Sequence, residues 1–349
     1  MAEPVRPETV SSGTVPSGTM LPVAVDAMGG DKAPEEIVAG ARRAADELGV
    51  PVLLVGRPEE LGDTGGLEVL AASEVIAMDD DPGRSVRRMK DSSLVRAAEA
   101  VRDGRASAMV SAGNTGATMG SALLRMGRIR GVNRPAIATP IPSLTGGNPT
   151  VMLDAGANAE CVPEMLVQFA LMGAVFARRR YGIDTPRVAL LSIGEEDTKG
   201  SPLVKETHKL LAAGAVEGVG ATFLGNVEGR DLMGDDADVV VTDGFTGNVA
   251  LKTLEGGLKA IVEAIYGVFG TDDETRAAAD VLLPALLPLA EQLDPDTTGG
   301  AMLLGVDGVC IISHGSSSAR AVVNAVRVGA EMVAADLVGD LTSAIRPPD

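Results

Sequence analysis

From residue 21 onward, short apolar runs alternate with longer stretches of helical periodicity. The runs are "PVAVD" (22–26), "PVLLVG" (51–56), "ASAMV" (106–110), "AIATPI" (136–141), "TVMLD" (150–154), "RVALLSI" (187–193), "ATFLG" (221–225), "DVVVTD" (238–243) and "GVCIIS" (308–313). Several are apolar throughout, as expected of strands covered on both faces. Their alternation with helical segments is that of parallel strands joined by crossover helices, so the fold class is α/β. Residues 34–49 read as a helix with Pro in its first turn and Gly after its end, and residues 163–180 as a helix with a basic C-terminus. Between 248 and 298 two amphipathic segments follow one another with no strand between them, which predicts a helical hairpin, an arm that can pair with its copy in a dimer. "VSAGNTG" (110–116) and "VTDGFTG" (241–247) share the pattern V-x-x-G-x-T-G after an apolar run and hint at two related halves.

Composition narrows the function classes. The 349 residues are 45% hydrophobic, enough to fill a large core, and only 2% aromatic with no Trp, which disfavours stacking on single-stranded nucleic acid. A net charge of -18 repels a phosphate backbone at long range, so nucleic acid is not an expected partner. Cys161 and Cys310 sit far apart beside apolar residues and read as small core residues, not as a metal or redox pair. Residues 1–20, rich in Ser, Thr, Pro and Gly and lacking a signal-peptide pattern, are expected to be a disordered tail, with residues 21–349 forming one catalytic α/β domain that contains the arm. No uninterrupted apolar run is long enough to span a membrane, and a soluble, cytoplasmic protein is expected.

The polar residues gather after the strands, in "DAMGGDKAP", "SAGNTGATMG", "DAGANAEC", "SIGEEDTKGS", "GNVEGRD", "TDGFTGN" and "SHGSSS". In open α/β sheets these strand ends form the ligand crevice, and N–H groups at a following helix start can hold an anion. The dinucleotide fingerprint is absent, and in "GEEDTKGS" Lys199 precedes Gly200 where a nucleotide P-loop needs it to follow. No G-x-S-x-G elbow is present and neither cysteine has an activating partner, so the nucleophile is sought in a substrate. His208 reads as a solvated residue on a polar helical face. His314 reads either as a proton donor or anion ligand, or as part of a local turn. Lys199 is either a solvated charge or a point charge in the crevice. Asp26, Asp154 and Asp243 end strands, where an aspartate orients a neighbouring loop or binds a substrate group; a two-metal carboxylate site is a weaker reading because no pair shows ligand spacing, and no metal is expected.

"AVDAMGGDKAPE", "SAGNTGATM", "DAGAN", "GEEDTKGS", "GNVEGRDL", "VVVTDGFTGNVALKTLEG" and "HGSS", in this order from residue 24 to 317, closely resemble the bacterial phosphate acyltransferases of phospholipid synthesis. The resemblance implies transfer of a fatty acyl group from acyl carrier protein to inorganic phosphate, giving acyl phosphate for a membrane acyltransferase, with no cofactor. It implies a three-layer α/β/α sandwich with a mixed sheet and two intertwined, pseudo-symmetric lobes, similar to phosphotransacetylases and isocitrate dehydrogenases. A homodimer with a protruding arm, attached peripherally to the inner face of the cell membrane, is also implied. The tail and the prolines in "LLPALLPLA" depart from the family, and the arm's leucines read either as a tip that inserts in lipid or as core packing or dimer pairing.

On this reading, bound phosphate, already anionic, attacks the thioester directly, and the site has to hold and aim it. Gly29, Gly30 and Gly113 to Gly116 are expected to offer N–H groups, with Asn114 and Thr115 assisting and Lys199 neutralising phosphate or the oxyanion. Asn158, Asn248 and His314 are expected to orient the carbonyl or protonate the leaving thiolate. Asp26, Asp154, Asp243, Thr246, Gly315 and Ser316 complete the expected substrate-binding set. The basic stretches 84–90 and 125–134 are candidates for docking the acidic carrier, or simply solvated helix faces. The rivals are a phosphotransacetylase using acyl-CoA, a dehydrogenase of the same fold, and a non-catalytic membrane scaffold.

Overall fold

A computed structural model describes residues 20–345. Every apolar run above contributes a strand: β1 (Val23–Asp26), β2 (Val52–Gly56), β4 (Ala108–Ser111), β5 (Ala136–Ile141), β6 (Thr150–Leu153), β7 (Arg187–Leu191), β8 (Thr222–Val227), β9 (Val239–Val241) and β11 (Val309–Ile312). Two strands lack a readable pattern. β3 (Glu68–Ala71) is an edge strand that buries only Leu70, and β10 (Ala301–Leu304) follows the glycine pair 299–300. The expected tail lies outside the described residues but for Met20.

The strands form one eleven-stranded mixed sheet in the order β3-β2-β1-β4-β11-β10-β5-β6-β9-β7-β8. β10 is antiparallel to both β11 and β5, and β5 is antiparallel to β6, so the outer strands of the two halves run in opposite directions. Strands β10 and β11, late in the chain, return to the half built by β1 to β4, which intertwines the halves. Because successive residues on a strand face opposite ways, each strand feeds two cores. Val23 and Val25 pack with helices Glu35–Leu48, Pro163–Tyr181 and Ala319–Ala334 on one face. Ala24 packs on the other face with helices Pro82–Arg88, Ser93–Arg102 and Thr115–Arg125, completing three layers.

The two echo sequences occupy matching places, each following a strand that pairs in parallel with one leading to an aspartate: β4 beside β1, and β9 beside β6. The strand order of the halves differs, however. β1 lies between β2 and β4, whereas β9 lies between β6 and β7.

The arm is a pair of helices, Gly244–Phe269 and Asp273–Leu293. The first begins before the expected residue 248, because the Asp243 side chain accepts the Thr246 N–H and caps it. With 26 residues it is about 39 Å long. The second helix continues through Pro284 and Pro288. Ile261, Ile265, Val268, Leu282 and Leu287 leave the outer arm with exposed apolar side chains. No helix among the described residues is long and apolar enough to cross a membrane.

Candidate active site

Three strand-end loops converge above β1, β4 and β11. The approach of the first two is so close that a Cβ on Gly29 would lie 2.4 Å from Asp26 Oδ2 and 2.8 Å from the Gly113 nitrogen. Gly30, at φ +112°, faces the Gly315 carbonyl, which accepts the Asp31 N–H at 2.7 Å. Asp26 is 1% exposed and accepts the Ser111 hydroxyl at 2.7 Å and the Met28 N–H at 3.3 Å. Burial pushes its carboxyl above the usual carboxylate range, against those hydrogen bonds. The Gly113 N–H donates to Ser111 Oγ, and Asn114 caps the next helix by accepting the Ala117 N–H while its amide donates to the Met78 and Asp80 carbonyls. Asp26, Gly113 and the Asn114 side chain therefore fix the loop. The N–H groups of Thr115 and Gly116, first in their helix, have no carbonyl one turn back to bond.

A second cluster forms where β6 and β9 end. The fully buried Asp154 accepts N–H groups from Ile137, Gly156, Ala157 and Asn158, and the Asn158 amide as well. Burial raises its carboxyl and these donors oppose the rise. Asn158 Nδ2 also donates to the Pro135 carbonyl, and its own carbonyl accepts the Gly244 N–H, so it ties the arm's base to β6. A Cβ on Gly247 would lie 2.0 Å from the Asp154 carbonyl oxygen, which is how closely the arm helix seats. Thr246 donates both its N–H and its hydroxyl to Asp243.

Between the clusters, under the arm, lies a cavity of about 750 Å³. Thr115, Asn248, His314, Gly315 and Ser316 line its inner end. Two further polar residues join them: His314 Nε2 lies 3.4 Å from Glu255 Oε1, and Lys252 Nζ lies 2.8 Å from Glu255 Oε2. Sequence reasoning missed Lys252 and Glu255. The available signal was helical spacing, since 248, 252 and 255 fall on one face of the arm helix. The Ser313 hydroxyl, beside His314, is buried with no hydrogen-bond partner among the described residues. Farther out the lining is mainly apolar, with Leu254, Leu258, Val262 and Leu293, and Lys259 largely exposed at its edge.

Lys199 is not part of this lining. It is exposed on the loop after β7. His208 corrects the solvated expectation: half-buried, its Nδ1 meets Asn226 Oδ1 at 3.0 Å and its ring packs edge-to-face on Phe223, beside a separate cavity of about 480 Å³. Burial pushes the Cys161 thiol up to about 11 and the Cys310 thiol up to about 12, so neither is an activated nucleophile at neutral pH.

Residues 21–339 match the model of the family described as fatty acid synthesis protein. A phosphate acyltransferase of Elusimicrobium minutum is 49% identical over 328 residues, 91% of this chain and 94% of the relative. One from a Nostoc species is 44% identical over 340 residues, 93% of this chain and 96% of the relative. The chain belongs to the phosphate acyltransferase family. Its fold is that of solved phosphotransacetylases: the Streptococcus pyogenes structure aligns with a TM-score of 0.61 at 17% identity, covering 90% of this chain and 94% of that one. A Staphylococcus aureus phosphotransacetylase aligns at 0.58, also at 17% identity, covering 91% and 95%. Membership makes the protein an acyltransferase of lipid synthesis.

Proposed function

We propose that the protein transfers a fatty acyl group from acyl carrier protein to inorganic phosphate. The observation that carries this reading is the two-ended cavity. Its inner end combines the helix N-terminus at Thr115, the Lys252 ammonium and the His314 imidazole. Its outer end is largely apolar, through Leu254, Leu258, Val262 and Leu293, with the exposed Lys259 at the rim.

Phosphate held at the inner end attacks the thioester carbonyl carbon. A phosphate oxygen to carbon bond forms, the carbon to sulfur bond breaks, and the thiolate leaves with a proton supplied by His314. Thr115 and Gly116 N–H groups, with Ser316, hold phosphate; Asn248, whose side chain is exposed at the cavity, orients the acyl carbonyl. Asp26, Asn114, Asp154, Asn158 and Asp243 keep the loops in place. Positioning of this kind accounts for up to about 7 to 11 kcal/mol of barrier, and each donor aimed at the developing oxyanion for about 3 kcal/mol.

The reading extends to a cytoplasmic homodimer that rests on the membrane and delivers acyl phosphate to a membrane acyltransferase. The exposed apolar side chains of the outer arm support a face that is covered by a second copy or by lipid. Sedimentation and liposome flotation of the full chain separate those two covers.

The deciding experiment traps acyl phosphate as hydroxamate, with acyl carrier protein or coenzyme A as the thioester donor, with and without phosphate. Phosphate-dependent product from the carrier donor is expected. Product only from the coenzyme A donor would instead make the protein a phosphotransacetylase, and no product from either would end the proposal.

A further inference from the structure

We infer that the outer half of the cavity is the binding site for the acyl chain, and that Leu258 and Val262 on the arm set the chain length it accepts. The inference rests on the proposed acyl transfer, and it adds a site to it. Asn248, Leu251, Glu255, Leu258 and Val262 follow one another at helical spacing along one face of the arm helix, and all line the cavity. Along this stripe the chemistry changes once. Asn248 and Glu255, the latter against His314, mark the reacting end; beyond Glu255 the stripe offers only Leu258 and Val262. Lys259 also lines the cavity on that stretch, but its side chain is 78% exposed and its ammonium lies 3.9 Å from Glu263 Oε1, at the open rim. From Glu255 to Val262 the helix rises about 10 Å, away from the loops that hold phosphate. Leu293 of the second arm helix and Ile141 of β5 supply apolar walls. A ligand reaching outward from a thioester at His314 meets hydrocarbon on these sides, which suits an extended alkyl chain, with Lys259 the charged side chain at the open rim. Val262 is 42% exposed, so the groove is open at its far end and a larger side chain there can be accommodated without disturbing the core.

The test compares octanoyl, dodecanoyl and hexadecanoyl carrier protein as donors in the hydroxamate assay, for the wild type and for Val262→Phe and Leu258→Phe. Burial of each methylene is worth about fourfold in affinity, so kcat/KM is expected to climb with length in the wild type until the groove is filled. In the two variants the hexadecanoyl-to-octanoyl ratio is expected to drop by roughly tenfold, the effect of excluding about two methylenes. Val281→Phe, 76% exposed on the other arm helix and outside the cavity lining, serves as the control and is expected to keep the wild-type ratio. An unchanged ratio in both test variants overturns the inference. A parallel calorimetric titration with octanoate and palmitate, without phosphate, separates this inference from the transfer reading. If the wild type makes no acyl phosphate but binds palmitate more tightly than octanoate, and the phenylalanine variants erase that difference, the chain site stands and the transfer reading falls. If the difference is absent in the wild type or survives in both variants, the chain site falls.

Discussion

His314 Nε2 lies 3.4 Å from one oxygen of Glu255, and the other oxygen of that carboxylate holds the Lys252 ammonium at 2.8 Å. The histidine comes from the loop after β11 and the acid from the arm, so the arm places a carboxylate beside the core's imidazole. A His positioned in this way is suited to protonate a leaving thiolate.

His314→Ala is expected to lower kcat for acyl phosphate formation by about 10²-fold, the usual contribution of a positioned acid. Glu255→Gln keeps the shape and loses the charge, and is expected to cost roughly tenfold, about 1.4 kcal/mol of barrier. Steady-state kinetics with carrier donor read both. Wild-type kcat in both folded variants would remove His314 and Glu255 from the mechanism.

Asp154 accepts hydrogen bonds from four backbone N–H groups and one side-chain amide. Asp154→Ala leaves those buried donors without an acceptor and is expected to lower unfolding free energy by about 3 to 5 kcal/mol. Asp243→Ala removes only a helix cap and is expected to cost about 0.5 to 2 kcal/mol. Urea unfolding measures both, and equal losses would show that the Asp154 network does not hold β6 to the arm.

With its thiol pushed up to about 11 by burial, Cys161 is almost wholly protonated at pH 8. Its alkylation by iodoacetamide is expected to keep rising, by up to about tenfold per pH unit, beyond about pH 9, where an unperturbed thiol levels off. Cys310, fully buried and pushed up to about 12, is expected not to react while the chain is folded. Mass spectrometry of the timed reaction distinguishes the two cysteines, and a Cys161 plateau near pH 9 would contradict the burial effect.

The two basic stretches occupy different ends of the sheet. Pro82 packs on Gly116 beside the cavity, whereas Ile129 bonds the turn before β11 at Gly305, at the opposite end of that strand. Arg84, Arg87 and Arg88 are exposed and in no ion pair with the described residues. Reversing all three to Glu is expected to raise KM for carrier protein at least tenfold at low salt, with the effect shrinking as salt screens it. The same reversal at Arg128, Arg130 and Arg134 is expected to leave KM unchanged. The opposite pattern would move the docking surface to the far end.

Much of this architecture is legible in local sequence because its causes are local. The continuous apolar runs become strands buried on both faces, and Asp243 and Asn114 cap the helices that their turns announce. β10 escapes detection because its antiparallel place between β11 and β5 is decided by distant partners, and β3 because an edge strand needs little apolar surface.

The site divides in the same way. The sequence by itself determined that glycine-rich loops end the strands and that no G-x-S-x-G elbow is present, and from these came the expectation of an anion at the strand ends. Tertiary structure alone decided which polar groups face the cavity. Asp26, Asn114, Asp154 and Asn158 turn their hydrogen bonds inward, Lys199 stands outside, and Lys252 and Glu255 enter from the arm. The physical reason is that a hydrogen-bonding group satisfied by a neighbouring loop is no longer available to a ligand, and loops far apart in sequence become neighbours only when the sheet brings them together.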